Sequence, residues 1–95
     1  MSLVRIATVT ALAGHRLRLG LTDGNVIERE VGPLLKGAVF KEIRETPGLF
    51  AQVEAQGGTV VWPNGADLCP DVLIWGGAPP ADATARPERE LQLTP

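Results

Sequence analysis

The chain has few of the residues on which disulfides, metal sites and nucleophilic catalysis depend. Its 95 residues include one cysteine, Cys69, and one histidine, His15. A single cysteine cannot form an internal disulfide, which is typical of a protein from a reducing compartment. One cysteine with one histidine also cannot supply the four ligands of a structural zinc site. The sequence therefore excludes a disulfide scaffold and a zinc domain, and it predicts no cofactor.

Long apolar runs and phosphate-binding motifs are missing as well. No segment approaches the roughly 20 apolar residues needed to cross a bilayer, and the start, "MSLVRIATV", lacks the apolar core of a signal peptide. The eleven glycines form neither a phosphate-binding loop nor a dinucleotide fingerprint. The expected location is the cytoplasm, without a membrane partner.

Charged residues are unevenly distributed, and basic residues are few in the second half of the chain. Residues 1–45 carry seven Lys/Arg and five Asp/Glu, whereas residues 46–95 carry two and six, which sums to a net charge of −2. The basic residues are interleaved with acids, so they form no clustered basic face of the kind that binds nucleic acid. We expect no direct nucleic-acid binding by the isolated chain, and the acidic half suits a basic protein partner.

The segment "LRLGLTDGNV" predicts a β-hairpin, preceded by an alternating strand in "VRIATVTAL". A three-residue loop at 22–24 pairs Leu19 with Ile27 and places Arg18 opposite Glu28. A two-residue loop would instead put apolar residues opposite charged ones. The register is therefore predicted together with the hairpin.

After residue 32 the apolar period changes from two to 3.6. In "GAVFKEIRE", Val39, Phe40 and Ile43 lie on one helical face, and two short strands flank the turn at 56–58. Strands, then helices, then a late hairpin indicate the α+β class. The predicted architecture is a small antiparallel sheet with an N-terminal hairpin, short helices on one side and a C-terminal tail.

The last part of the chain differs in composition from the rest. Residues 1–76 are predicted to form the single domain, and residues 77–95 are rich in alanine, proline and charge. In that tail only Leu91 and Leu93 are large apolar residues that could join a core. Burial of these two side chains cannot offset the loss of conformational entropy when the tail becomes ordered. We expect a flexible tail that becomes ordered only where it lies on a partner or on the body.

The block "TVVWPNGADLCPDVL" is crowded with residues that shape the backbone. "WPNG" at 62–65 predicts a turn that ends a strand. A helix follows with Pro70 at its first position, Cys69 at the N-cap and Asp71 in the first turn. The turn and the helix start explain most of the unusual residues in this segment.

Two chemical interpretations of the same block stay open. Cys69 at a helix start is a candidate reactive thiol, although nothing places His15 near it as a base. Asp67 and Asp71 are candidates for a small enzyme or a ligand-binding site, although two carboxylates four residues apart are a weak signal. We predict no catalytic and no metal-binding residues.

The two tryptophans are the largest side chains and are predicted to lie in or beside the core. An exposed tryptophan tends to concentrate binding energy, so Trp62 and Trp75 are also candidate interaction residues, with Asn64 and Asp67 beside them. Trp75 is the better candidate because it ends the folded body.

The hairpin "LRLGLTDGNV", the segment "GPLLKGAVFKEIRE" and above all the block "VVWPNGADL.PDVL" together resemble the bacterial domain-of-unknown-function family numbered 2442. The resemblance covers about residues 5–75. It implies a small α+β domain with a short antiparallel sheet and short helices. Members more often have an acidic or hydroxyl residue at the position of Cys69, which argues against a family-wide catalytic thiol.

For function, the resemblance implies only a gene neighbourhood and a domain combination. Members are often encoded beside another small protein, as in toxin–antitoxin pairs, and some resemble this domain fused to a helix-turn-helix module. The expected function is a non-enzymatic protein-interaction module with an antitoxin-like or regulatory role and a small protein partner. The alternatives are a DNA-associated regulator acting through a partner, and a small enzyme. A homo-oligomer is also left open.

Overall fold

The computed structural model describes residues 4–77, 80–81 and 86–93. Within these described residues, six strands, three short helices and one 3-10 turn at Gly32–Leu34 are present. The elements are β1 (Ile6–Leu12), β2 (Arg16–Leu21), β3 (Val26–Glu30), α1 (Ala38–Glu45), α2 (Pro47–Phe50), β4 (Glu54–Gln56), β5 (Thr59–Val61), β6 (Asp67–Leu68) and α3 (Pro70–Trp75).

The first sheet has the order β1-β2-β3, with both pairs antiparallel. Leu19 pairs with Ile27 and Arg18 with Glu28, as the three-residue loop predicts. Gly24 closes that loop with a φ of 89° and donates its N–H to the Leu21 carbonyl at 3.0 Å. The predicted hairpin and its register are therefore confirmed.

The two faces of this sheet differ in polarity. One face is buried and apolar except for Arg29, whereas the other carries Arg16, Arg18 and Glu28. Glu28 takes both arginines, each at 3.4 Å, although Arg16 lies directly opposite Glu30 in the register. Diagonal neighbours on a strand pair lie within reach of long side chains, which explains the shared carboxylate.

The second sheet has the order β4-β5-β6 and is also antiparallel. Gly57 and Gly58, with φ angles of 61° and 85°, form the two-residue turn between β4 and β5. A two-residue hairpin turn of type I′ needs positive φ at both central positions, which explains the glycine pair. The Ile6 N–H donates to the Gly58 carbonyl at 3.0 Å and joins the two sheets.

The helices are short, and their burial corrects one expectation. On α1, Ile43 is fully buried and Phe40 is half-buried, but Val39 is 45% exposed. At helical spacing Val39 and Phe40 lie on opposite sides of Ile43, and the core covers only the Phe40 side. The prediction that Val39 faces inward was wrong.

One continuous core lies between the two sheets and the helices. Its buried members come from three helices and from every described strand except β4, and they include Leu93 near the C-terminus. The α+β class predicted from the sequence is confirmed. None of the described helices has the length and apolar character needed to span a membrane.

The described part of the C-terminal segment lies on the body. Pro87 and Leu93 are buried, and Glu90 forms a parallel bridge with Glu28 on β3. Contact with the body is the condition under which we expected this segment to be ordered. The division into a domain of residues 1–76 and a tail of residues 77–95 stays a prediction.

Candidate functional site

Trp62 begins the "WPNG" turn and lies in the core. Its side chain is 3% exposed, and its indole N–H donates to the Phe50 carbonyl at 3.1 Å. The turn closes with the Gly65 N–H donating to the Trp62 carbonyl, and Gly65 has a φ of 91°. Trp62 thus follows the core alternative that the sequence left open, and its ring presents almost no surface to a partner.

Asn64 fastens the same turn to α1. Its side-chain amide donates to the Val39 carbonyl at 3.0 Å, and its side-chain oxygen accepts the Ala66 N–H at 3.1 Å. The first contact needs the amide NH2 group as a donor and the second needs the side-chain oxygen as an acceptor. An aspartate could make only the second of them. Asn64 is exposed, but its polar atoms serve the fold.

The candidate chemical residues of the block have separate surroundings. Cys69 is exposed at the N-cap of α3 and makes no side-chain capping bond. Asp71 pairs with Arg5 at 3.0 Å, and Asp67 is exposed on β6. In the residues that the structure describes, no group of three or more His, Cys, Asp or Glu side chains could hold a metal ion.

The histidine also has a structural place. The Nε2 atom of His15 lies 3.1 Å from the Arg44 carbonyl, and its ring packs edge-on against Phe50 with the centroids 5.2 Å apart. These contacts tie the β1–β2 turn to the helical layer. The structure does not bring His15 and Cys69 together as a hydrogen-bonded pair.

Trp75 is the last residue of α3 and is half-buried against the core. Gly76 ends the helix in the left-handed conformation, with a φ of 77°, and donates its N–H to the Val72 carbonyl at 2.9 Å. Part of the indole remains accessible, so Trp75 keeps its candidacy as a contact residue while Trp62 does not.

Arg29 is the functional candidate that the sequence analysis missed. It lies on the buried face of β3, between Ile27 and Val31, and its relative exposure is 0%. Alternation along β3 places positions 27, 29 and 31 on one side of the sheet. An arginine at the middle of an apolar inward face was the available signal.

All five N–H donors of the Arg29 guanidinium meet main-chain carbonyls. Nε donates to Leu73 at 2.7 Å and one Nη2 hydrogen to Ile74 at 3.2 Å, both in the last turn of α3. The remaining donors reach the carbonyls of Glu28 at 2.8 Å, Arg89 at 2.9 Å and Glu88 at 2.6 Å.

This arrangement gives Arg29 two tasks at once. It caps the C-terminal end of α3, where carbonyls lack helical partners, and it holds the extended segment around Glu88. Burial lowers the pKa of Arg29, and the nearby Glu88 charge raises it. Arginine keeps its proton under all physiological conditions, so the position is a permanently charged clamp.

We define the β3-edge seat as the outer edge of β3 together with Arg29 and the groove beside them. The Glu28 N–H donates to the Arg89 carbonyl at 3.1 Å, and Glu28 and Glu90 form a single parallel bridge at the edge of the sheet. The groove has a volume of about 400 Å³. Its lining comprises Arg16, Glu28, Glu30, Pro33, Glu90, Leu91, Gln92 and Leu93.

The seat has an uneven charge. Glu90 lies opposite Glu28 in the bridge, and Glu30 lines the same groove. The hydrogen bond from Arg16, together with the Arg18 charge, lowers the pKa of Glu28 below its ordinary value of 4.5, against an opposing effect of burial. The Glu28 carboxylate is held by the two arginines, and the groove as a whole is lined by three acidic residues and one basic residue, Arg16.

The fold defines a small α+β domain in which the chain's own residues 88–90 lie along one sheet edge. The family model described as "Protein of unknown function (DUF2442)" matches residues 6–78. The chain belongs to this family, as the sequence resemblance indicated.

A solved structure supports the same fold. The crystal structure of "Putative DNA Binding Protein NE0471 from Nitrosomonas europaea ATCC 19718" is similar, with a TM-score of 0.57 and 36% sequence identity. The similarity covers 64% of this chain and 41% of that protein, so this chain corresponds to less than half of its length. No curated protein matches this chain.

Proposed function

We propose that this chain is a non-enzymatic protein-interaction module with a regulatory, antitoxin-like role. The observation that carries the proposal is the β3-edge seat, in which an extended segment around Glu88–Glu90 is held by the Glu28 N–H and the Arg29 guanidinium. Adding an extended segment to a sheet edge is a common way for small domains to bind partners.

The placement of the chemically capable residues favours binding over catalysis. Asp71 is paired with Arg5, His15 contacts the Arg44 carbonyl, and Cys69 stands at an exposed helix start. Each of them is engaged or isolated in a way that the fold itself explains. Labelling of Cys69 near neutral pH tests the enzyme alternative, and a rate far above that of a free thiol would favour it.

Trp75 offers a second contact beside the seat. It is half-buried at the end of α3, whose last carbonyls Arg29 clamps. Trp75→Ala should weaken a complex that uses this side of the molecule, whereas Val39→Ala, at an exposed position on α1, is the control for loss of apolar surface elsewhere. Unchanged affinity of the Trp75 variant would remove this residue from the contact.

The decisive experiment is affinity purification of the tagged full chain from cells that make it natively, with the bound proteins identified by mass spectrometry. We expect one small protein in stoichiometric amount, and an adjacent gene encoding it would support the paired-regulator role. Recovery of no specific protein by the wild-type bait would count against the interaction module.

A DNA-associated regulator is the second candidate, because the similar structure carries the name "Putative DNA Binding Protein". The net charge of −2 argues that this chain would act through a partner that supplies the basic surface. Retention of the isolated chain on duplex DNA at about 150 mM salt would favour direct binding. Retention only together with the purified partner would support the indirect form.

A further inference from the structure

The β3-edge seat recognises its present occupant largely through main-chain groups. The Glu28 N–H and two Arg29 nitrogens contact the carbonyls of Glu88 and Arg89 at 2.6 to 3.1 Å. Every residue type presents the same carbonyl, so these contacts do not require the chain's own sequence. Leu93, at 4% exposure, supplies the apolar anchor that a competing segment would have to match.

The side chains of the occupant fit the seat less well than its backbone does. Glu90 lies opposite Glu28, and Glu30 lines the same groove. Like charges directly opposite each other on paired strands are destabilising. Arg16 and Arg18 both contact Glu28 from the β2 side. These ion pairs stabilise the Glu28 charge, and neither arginine pairs with Glu90 in the described contacts. A lysine or arginine at position 90 would place a positive charge in a groove that the body lines with Glu28, Glu30 and a single basic residue, Arg16.

We propose that the β3-edge seat binds an extended segment of a partner protein that carries a basic residue opposite Glu28 and a leucine at the position of Leu93. This segment displaces residues 86–93, which hold the seat until the partner arrives. The inference rests on the proposed function and deepens it by naming the site and the chemistry of the partner. Glu28 and Glu30 are the acidic residues that the body contributes to the groove.

Displacement has a quantitative requirement. A tethered segment competes at an effective concentration in the millimolar range, so a free partner segment needs better side-chain contacts than the chain's own. Replacing repulsion by attraction at one cross-strand position changes affinity by roughly fivefold. The change from glutamate to lysine at position 90 isolates that contribution.

The first test uses the full chain carrying Leu93→Ser, which weakens the tethered occupant and leaves β3 and Arg29 intact. Two synthetic peptides are titrated into the ¹⁵N-labelled protein: RPERELQL, the sequence of residues 86–93, and RPERKLQL, with lysine at the Glu90 position. We expect both to shift the Glu28 amide and Arg29 Nε–H signals, with RPERKLQL binding roughly fivefold more tightly at low salt. That preference should shrink at 0.5 M salt because exposed charges are screened.

The second test keeps the inference decidable even if the Leu93 variant does not fold. In the otherwise wild-type chain, Glu90→Lys should strengthen the tethered docking and slow exchange of the Glu28 amide severalfold. Glu42→Lys on α1 makes the same change in net charge at an exposed site away from β3 and should leave that amide unchanged. Equal exchange in the two variants, or no preference between the peptides, would overturn the inference.

Two further outcomes separate this inference from the proposed function. If size measurement shows that Leu93→Ser forms a dimer by exchanging segments, the occupant is a second copy and the inference fails. If the purified partner binds Glu30→Lys as tightly as wild type, the seat is not its site, yet the interaction module stands. If no partner exists but RPERKLQL binds as expected, the proposed function fails while the seat remains a peptide site.

Discussion

At the residue scale, Arg29 shows how a buried cation can be stabilised by the backbone. Its five donors contact five carbonyls from α3, β3 and the C-terminal segment, at 2.6 to 3.2 Å. A planar guanidinium presents its donors in a fixed fork, whereas lysine offers three donors from one atom. The position therefore demands arginine for geometry as well as for charge.

Arg29→Lys is expected to destabilise the protein by about 2–4 kcal/mol, because at least two buried carbonyls lose their partner at about 1–3 kcal/mol each. Urea unfolding followed by circular dichroism measures the change in the free energy of unfolding. Arg18→Lys, on the exposed face of β2, is the control and should change stability by less than about 0.5 kcal/mol. Similar costs for the two variants would contradict the clamp.

Glu28 gives the molecule a pH dependence with a defined sign. Its pKa in the folded chain is lowered from 4.5 by the hydrogen bond from Arg16 and the charge of Arg18. The ionised form therefore contributes stability above pH 4.5, and this contribution is lost as the pH falls through the lowered pKa. The difference in unfolding free energy between wild type and Glu28→Gln should be present at pH 7 and shrink below pH 4.5.

Glu42→Gln, which removes one exposed carboxylate from α1, is the control for the Glu28 measurement. Unfolding of both variants and of wild type is followed at several pH values between 3 and 7. A difference between wild type and Glu28→Gln that stays constant across this range would show that the Arg16–Glu28–Arg18 contacts do not stabilise the fold.

At the element scale, two glycines test the account of the turns and helices. Gly24 has a φ of 89° in the β2–β3 loop, whereas Gly48 lies in α2 with open space around its Cα. Gly24→Ala should cost about 1–3 kcal/mol for the left-handed conformation. Gly48→Ala should stabilise by about 0.4–1 kcal/mol because it restricts the unfolded chain.

Thermal unfolding of the two alanine variants measures both effects. The melting temperature should fall for Gly24→Ala and rise for Gly48→Ala. The same substitution at two solvent-facing sites removes differences in side-chain burial from the comparison. Destabilisation of equal size at both positions would mean that backbone conformation at the β2–β3 loop does not set the cost.

The elements that short-range sequence could predict are those whose causes are local. The β2–β3 register follows from loop length and alternation, and the start of α3 follows from Pro70. Strand β6 has only two residues, Asp67 and Leu68, and forms because β5 is already placed beside it. Val39 was misplaced for a similar reason, since the width of the core surface beside α1 is a tertiary property.

At the whole-molecule scale, the seat depends on three distant parts of the chain. β3, the end of α3 and residues 88–90 meet at Arg29, with sequence separations of 44 to 60 residues in the hydrogen bonds. The C-terminal segment is poor in core residues, as its composition shows. Composition carries no information about the hydrogen bonds that Arg29 donates to the carbonyls of this segment. Alternation could have identified Arg29 as inward-facing, and only the fold identifies what it holds.

The measurement that tests the central claim most directly is site-specific photo-crosslinking of the full chain in cells that make it natively. A photoreactive phenylalanine replaces Glu30, which lines the β3-edge seat, or Glu54, which is exposed on β4 in the second sheet. We predict that the probe at position 30 captures one small protein, through a segment with a basic residue, and that added RPERKLQL reduces the capture. Capture of that protein from position 54 but not from position 30 would contradict the account.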